Sequence, residues 1–414
     1  MPKLSFPKEK ISILLLEGIH DNAVADLADH GYANVTRLPK ALDEQDLIER
    51  LAGVHMLGIR SRSQLTEKVL READKLMAIG CFCIGTNQVN LSVARRLGIP
   101  VFNAPHSNTR SVAELVMGEI IMLMRGIWDK SRIVHEGGWM KSAKDSYEIR
   151  GKVLGIVGYG HIGTQLSVIA EALGMRVRFF DVQKKLALGN AQSCRTLDEL
   201  LTLSDVVSLH VPDTAQTRDM IGPEQLKAMK KGSYLINAAR GSIIDIDALA
   251  DALKSRHLLG AAIDVFPEEP AGDADEFVSP LRNLPNVILT PHIGGSTIEA
   301  QANIGNEVAR KLIEYSDNGS TMGAVNFPEV QLPVRESGVR FLHIHANVPG
   351  ILRKLNEVFA SRGLNMAAQY LQTDPEIGYV VFDVDGEVDD QEILADMRAI
   401  DGTLRARVLY DRRA

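Results

Sequence analysis

Cysteine is scarce in this chain: Cys81, Cys83 and Cys194 are the only three in 414 residues. An odd set without a CxxC pair excludes a disulfide framework and a thiolate zinc site, and fits a reducing cytoplasm. An excess of basic charge is also missing. The formal net charge is −7, which argues against nucleic acid as the main partner, so any anionic substrate must be held by local basic residues. No apolar run is long enough to span a bilayer, and the opening Met1-Pro-Lys-Leu-Ser-Phe-Pro lacks the apolar core of a signal peptide, so a cytoplasmic protein is expected. Low-complexity tracts and short-period repeats are absent. What remains, 45% hydrophobic and 24% charged residues, describes a globular chain too long for one ordinary core, so two or three domains are expected.

Apolar runs at Ile11–Leu16, Met56–Ile59, Lys75–Ile79 and Ile99–Phe102 alternate with amphipathic segments such as Glu44–Leu51 and Thr66–Ala73. They read as buried parallel strands and helices of a small α/β unit. Asn108–Ile127, with Val112, Leu115, Val116 and Ile120 at helical spacing, reads as one long helix joining two domains. From Gly151 a second βαβ series begins, with strands at Val153–Val157, Arg176–Phe180, Val206–Val211, Ser233–Ala238, Gly260–Val265 and Val287–Thr290. Six strands alternating with helices predict a doubly wound parallel sheet. A helix over Thr297–Tyr315 is expected to pack back on the first unit. Beyond a turn-rich linker, Gln331–Gly338, the tail reads strand, helix, strand, strand, helix, strand. That order is a ferredoxin-like βαββαβ sandwich, whose open sheet edge suits pairing with a second copy. The expected division is 1–107 with 296–332, then 108–295, then 339–414.

The most specific motif is Val153-Leu-Gly-Ile-Val-Gly-Tyr-Gly-His-Ile-Gly163, a strand, a glycine turn and a helix start. Gly158 allows the tight turn, Gly160 the approach of a pyrophosphate and Gly163 close packing of helix on strand. A diphosphate then sits on free N–H groups at the helix N-terminus. Asp181 ends the next strand, where a carboxylate accepts ribose hydroxyls and repels a 2′-phosphate, which selects NAD over NADP. In such sheets ligands bind beyond the carboxyl ends of the strands. Arg240, Asp264 with Glu269, and His292 all fall there. The set suits oxidation of a 2-hydroxy acid: Arg240 grips the substrate carboxylate with a planar fork, His292 takes the hydroxyl proton, and Glu269 fixes the imidazole tautomer and raises its pKa. Read singly, Arg240 is as well a surface arginine, Pro267-Glu-Glu-Pro270 a solvated turn and His292 a strand cap; only their shared rim favours chemistry.

Gly158–Gly163, Ala238-Ala-Arg-Gly241, Ala262–Phe266, Thr290–Gly295, Asn103-Ala-Pro105 and Asn108–Glu114 resemble, in order and interval, the D-2-hydroxyacid dehydrogenase family. With its tail the chain is similar to those members that oxidise phosphoglycerate and end in an ACT domain. The resemblance implies a Rossmann-type nucleotide domain, a discontinuous flavodoxin-like substrate domain and a regulatory ACT domain. It implies NAD contacts from His161, Ile162, Asp181, Ala238, Ala239, Arg240, Asp264, His292, Ile293, Gly294 and Gly295, with Arg240, Glu269 and His292 catalytic. Arg60, Ser61 and Asn108 would hold the phosphate-bearing substrate; Arg62, Arg110 and Lys141 are weaker candidates. The implied reaction is oxidation of D-3-phosphoglycerate to 3-phosphooxypyruvate, first in L-serine biosynthesis, in a homotetramer inhibited by L-serine at His345, Asn347 and Asn365. Reduction of 2-oxoglutarate by the same site is also implied. Alternatives are a relative acting on glyoxylate, D-lactate or formate, and an NAD-responsive binding protein. His343 and His345 share a strand face, but two ligands are too few, so no metal site is expected. The chain departs from its relatives at Ala346 and Val348, where they often carry Glu and Arg, and at His106, where an aromatic is commoner.

Overall fold

The computed structural model describes residues 6–270, 275–333, 338–385 and 389–409. Linker positions 334–337 therefore lie outside the described residues. The chain divides into two compact units, residues 108–300 and the remainder.

In the remainder, β1 (Ile13–Leu15), β2 (Val35–Arg37), β3 (Met56–Ile59), β4 (Ala78–Cys81) and β5 (Val101–Asn103) form a parallel sheet in the order β2-β1-β3-β4-β5. β2, mostly exposed, carries no apolar run and went unread in the sequence. The central strands are buried on both faces, which is why their sequences are continuously apolar rather than alternating. The intervening helices start on side-chain caps: Asp43 accepts from the Asp46 N–H, Thr66 from Val69 and Asn90 from Val93. Each satisfies an N–H group that the first helical turn leaves unpaired.

The helix Thr109–Arg125 opens the second unit and buries Val112, Ala113, Val116, Met117, Ile120, Leu123 and Met124 along one stripe. It stops two residues short of the expected end. Gly126 takes the left-handed conformation, φ 57°, and its N–H returns to the Leu123 carbonyl; a separate helix, Ile127–His135, follows. The sheet behind it comprises β6 (Val153–Val157), β7 (Arg176–Phe180), β8 (Gln192–Ser193), β9 (Val206–Leu209), β10 (Ser233–Asn237), β11 (Leu258–Ile263) and β12 (Val287–Leu289). Their order is β12-β11-β10-β9-β6-β7-β8, all parallel. The sequence showed six of these seven strands. The two-residue β8, exposed and polar, gave no signal. Chain order reverses between β6 and β9, which creates a crevice at their carboxyl ends.

The helix Ile298–Asn318 runs from the end of the second unit into the first. Val308, Leu312 and Tyr315 share one apolar cluster with Ile13, Met56 and Phe102. Asn326 accepts the Val101 N–H at 2.8 Å and donates to the Ile99 carbonyl at 3.0 Å. The tail has β13 (Val339–Ala346), β14 (Met366–Thr373), β15 (Ile377–Val384) and β16 (Thr403–Val408) in the antiparallel order β14-β15-β13-β16, with helices Ile351–Ala360 and Asp390–Ala399. This is the expected ferredoxin-like sandwich. It does not stand apart: Leu342, Ile344, Tyr379 and Val381 join the same apolar cluster as Val308. Arg340, fully buried, grips Asp383 through Nε and Nη2 at 2.7 and 2.8 Å and donates from Nη1 to the Asn318 and Pro333 carbonyls.

Candidate active site

The glycine turn lies at the reversal point of the seven-stranded sheet. Gly158 has φ +92°, and a Cβ there would stand 2.3 Å from the His210 carbonyl oxygen at the end of β9. Any side chain would force the two strand ends apart. A Cβ on Gly163 would stand 2.3 Å from the Gly158 carbonyl oxygen, so the helix His161–Ala172 sits on the turn at backbone contact. Around Gly160 the space is open, and a Cβ there would meet nothing within 4 Å. The helix that follows starts without a side-chain cap. Its positive dipole end favours an anion at this position. His161 and Ile162 form its first turn.

Asp181 follows β7 and supports the turn from the side. Its Oδ2 accepts the Tyr159 N–H at 2.9 Å and its Oδ1 the Gln183 N–H at 2.8 Å. Each oxygen keeps a lone pair for a ribose hydroxyl. The open glycine bend, the uncapped helix and the placed carboxylate together fit an NAD molecule.

Arg240 follows β10 in a loop held by buried Asn237, whose Oδ1 accepts the Ala239 N–H at 3.0 Å and whose Nδ2 donates to the Arg240 carbonyl at 2.9 Å. Ala238 and Ala239 are thereby fixed beside it. Asp264, beyond β11, is buried, with Oδ1 accepting from Thr290 Oγ1 at 2.6 Å and the Ile293 N–H at 2.8 Å, and Oδ2 accepting the Gly294 N–H at 2.8 Å. The carboxylate expected to contact NAD thereby also fixes the turn that follows β12. Gly295 lies against Asn108: a Cβ on it would meet the Asn108 amide nitrogen at 2.4 Å. Asn108 is buried, and its Oδ1 has no hydrogen-bond partner among the described residues.

That turn carries His292, in the left-handed region at φ 54° although it is not glycine, a conformation retained only where surrounding contacts enforce it. Its Nδ1 lies 2.9 Å from Oε2 and 3.1 Å from Oε1 of Glu269. The Phe266 N–H donates to Glu269 Oε1 at 3.2 Å, locking the carboxylate from behind. The hydrogen bond that His292 donates to Glu269 raises the histidine's pKa; desolvation opposes it, the Glu269 and Asp264 charges add to it, and Arg240 pulls it down. For Glu269, burial pushes upward, but the His292 bond and charge, the Phe266 N–H and Arg240 outweigh it and leave the carboxyl below its ordinary range. Arg240, Glu269 and His292 therefore feel one another's charge on one rim. With Nδ1 tied to Glu269, Nε2 is the nitrogen left for proton exchange.

Other expected residues lie elsewhere. Arg60 and Ser61 follow β3 in the other unit. Arg110 pairs with Glu114 one helical turn away, both exposed, which is the solvated alternative. Lys141 is exposed. In the tail, His345 is buried and Asn347 donates to the Asp374 carbonyl at 2.7 Å. Asn365 is not with them. Across the sheet Thr373 pairs with Gly378 and Gly378 with His345, whereas Met366 pairs with Val384 and Val384 with Val339. His345 and the residue before Met366 thus sit at opposite ends of β13, about 20 Å apart at ~3.3 Å per residue. One copy cannot bring the three around one small ligand. His343 and His345 meet at 3.2 Å between their Nδ1 atoms, with His343 Nε2 2.8 Å from Thr403 Oγ1. Burial and the neighbouring ring push His343 down to about 4.

Three polar groups escaped the sequence reading. His210 follows β9 beside Gly158, its Nε2 2.9 Å from Ser208 Oγ, and burial pushes it down to about 4. Glu119 is buried on the helix Thr109–Arg125 and raised to about 8 by burial and by Asp264; a lone Glu among apolar residues was its only signal. Glu17 had none, since its partners are backbone groups 43 and more positions away.

Residues 117–294 match the family described as D-isomer specific 2-hydroxyacid dehydrogenase, NAD binding domain. Residues 341–405 match an AHAS small subunit-like ACT domain. A D-3-phosphoglycerate dehydrogenase of Haemophilus influenzae is 59% identical over 99% of both chains. One from Escherichia coli is 57% identical over 99% of this chain and 100% of its own. Among solved structures, D-lactate dehydrogenase from Aquifex aeolicus complexed with NAD and lactic acid superposes with a TM-score of 0.65 at 26% identity, covering 77% of this chain and all of that one.

Proposed function

The chain belongs to the D-3-phosphoglycerate dehydrogenase family, and from that premise we propose that it opens L-serine synthesis by oxidising D-3-phosphoglycerate to 3-phosphooxypyruvate, under feedback by L-serine. It is an NAD-dependent dehydrogenase acting on a CH–OH group. NAD bound at the glycine turn supplies the hydride acceptor. Arg240 holds the substrate carboxylate through its guanidinium fork, which orients C2 and its hydroxyl. His292 Nε2 takes the hydroxyl proton as hydride leaves C2, and Glu269 stabilises the imidazolium that forms. The observation that carries this reading is the 2.9 Å His292–Glu269 pair on the strand-end rim beside Arg240. Arg60, Ser61 and Asn108 are the proposed substrate anchors, the arginine and serine for its phosphate.

For regulation, the separation of His345 and Asn347 from Asn365 supports a serine site completed by a second copy, with ligands from both tails. The edge strand β14, with alternate residues exposed, offers an open face for that pairing. On the other unit Trp128, Val134, Trp139 and Met140 are exposed, supporting a second contact between copies and hence a homotetramer. The deciding experiment follows NADH formation from 3-phosphoglycerate with and without L-serine. Turnover suppressed by serine supports the proposal; no turnover, or turnover indifferent to serine, defeats the corresponding half.

A further inference from the structure

We infer that Glu17 is a positioning residue for the phosphate anchor, holding the turn Arg60–Ser63 in the one shape that presents Arg60 and Ser61 to a substrate phosphate. The inference rests on the proposed role of those two residues. Glu17 lies directly after the β1 region, and its carboxylate accepts three backbone N–H groups of the neighbouring turn. Oε1 takes Arg60 at 3.1 Å and Ser63 at 2.9 Å, and Oε2 takes Arg62 at 3.0 Å. On the other side of the turn Gln88 Nε2 donates to the Arg60 carbonyl at 2.5 Å. The peptide groups flanking Arg60 are thus gripped from both sides. The Arg60 guanidinium itself reaches back to the Glu17 carbonyl at 3.5 Å.

Of the four N–H groups in the turn, that of Ser61 has no bond to protein among the described residues. It sits next to the Ser61 hydroxyl on an exposed residue. The clamp therefore uses up three donors and leaves one residue with two, side by side, for an oxyanion. Glu17 also stands at φ 59°, followed by Gly18 at φ 63°. That backbone favours glycine or asparagine, so a glutamate there carries a backbone cost that its three side-chain bonds offset. A carboxylate beneath an anion site is repulsive unless its charge is dispersed. Here three N–H dipoles converge on it, so its effect on the bound phosphate is exerted through the shape of the turn.

The test measures steady-state kinetics and melting temperature of the full-length protein for Glu17→Gln, Glu17→Asp and Arg60→Ala. The amide of Gln turns a donor toward the N–H groups, so KM for 3-phosphoglycerate should rise about tenfold or more, the size of losing one hydrogen bond to a charged group. The values of kcat and of KM for NAD should stay within about twofold. Asp keeps the charge with a shorter reach and should show the same split in smaller measure. If Arg60→Ala raises KM for 3-phosphoglycerate but neither Glu17 variant does, the positioning role is refuted and the phosphate anchor stands. If Arg60→Ala leaves KM unchanged, the anchor itself falls and the inference with it. Loss of kcat, NAD affinity and melting temperature together in both Glu17 variants would mark a purely structural residue and overturn the inference.

Discussion

Replacing Glu269 by Gln removes a charge from the proposed catalytic pair while keeping the side chain's shape. Its carboxylate, 2.9 Å from His292 Nδ1, is the largest cause of that histidine's raised pKa. Without that charge, desolvation and Arg240 still act downward and only Asp264 still acts upward. Oxidation needs the neutral imidazole, so activity climbs as pH rises through the His292 pKa. In Glu269→Gln that acid limb should move to lower pH. The rate on the alkaline plateau should fall as well, because the imidazolium formed as the proton arrives loses its counter-charge. A hydrogen bond to a charged group contributes ~1.5–3 kcal/mol. Both side chains are partly exposed, 52% and 38%, so solvent screening places the effect near the lower end. That corresponds to a loss of roughly tenfold in kcat/KM. His292→Gln, which removes the proposed base itself, should cost about 10²–10⁴ in kcat with NAD affinity intact. The assay is NADH absorbance against pH with saturating NAD. A Glu269→Gln enzyme whose acid limb stays at the wild-type pH, or moves upward, would refute the pairing.

Other outcomes follow from individual contacts. Arg240→Lys should lower kcat/KM by about tenfold or more because an ammonium cannot reproduce the bidentate fork; kinetics equal to wild type would remove Arg240 from the carboxylate. Asp181→Ala should raise KM for NAD and narrow the preference over NADP, read from paired titrations, since both the ribose acceptor and the Tyr159 N–H contact disappear. Asn347→Ala should abolish inhibition by L-serine while leaving turnover without serine unchanged; inhibition that persists would place the effector elsewhere. Asp383→Ala removes the carboxylate that takes two hydrogen bonds from the buried Arg340 guanidinium and should destabilise the folded chain by about 1.5–3 kcal/mol, measured by denaturant unfolding; an unchanged midpoint would contradict the contribution of that pair.

The tail shows how tertiary packing alters what an experiment means. From sequence alone, deletion beyond the linker looks like a clean way to remove serine control. Leu342, Ile344, Tyr379 and Val381, however, share an apolar cluster with Val308, Leu312 and Phe102. Deletion would expose that cluster to water as well as remove the proposed effector residues, so single substitutions such as Asn347→Ala are the sharper probe.

Short-range chemistry settled much of this protein before any coordinates. Apolar runs, glycines at fixed offsets and polar residues at strand ends identify the Rossmann sheet, the nucleotide turn and the rim that carries Arg240, Glu269 and His292, because each depends on neighbours within a few positions. Features built from distant backbone groups were invisible: β2 and β8 lack apolar patterning, Glu17 bonds to N–H groups of a turn 43 or more positions on, and Asp264 serves the turn 29 and 30 positions away. Strand register decided that Asn365 and His345 stand at opposite ends of one tail, since pairing geometry, which no single segment encodes, sets which ends meet. The sequence named the chemical groups; the folded chain decided which of them share an environment, because burial, charge coupling and register arise only between segments that folding brings together.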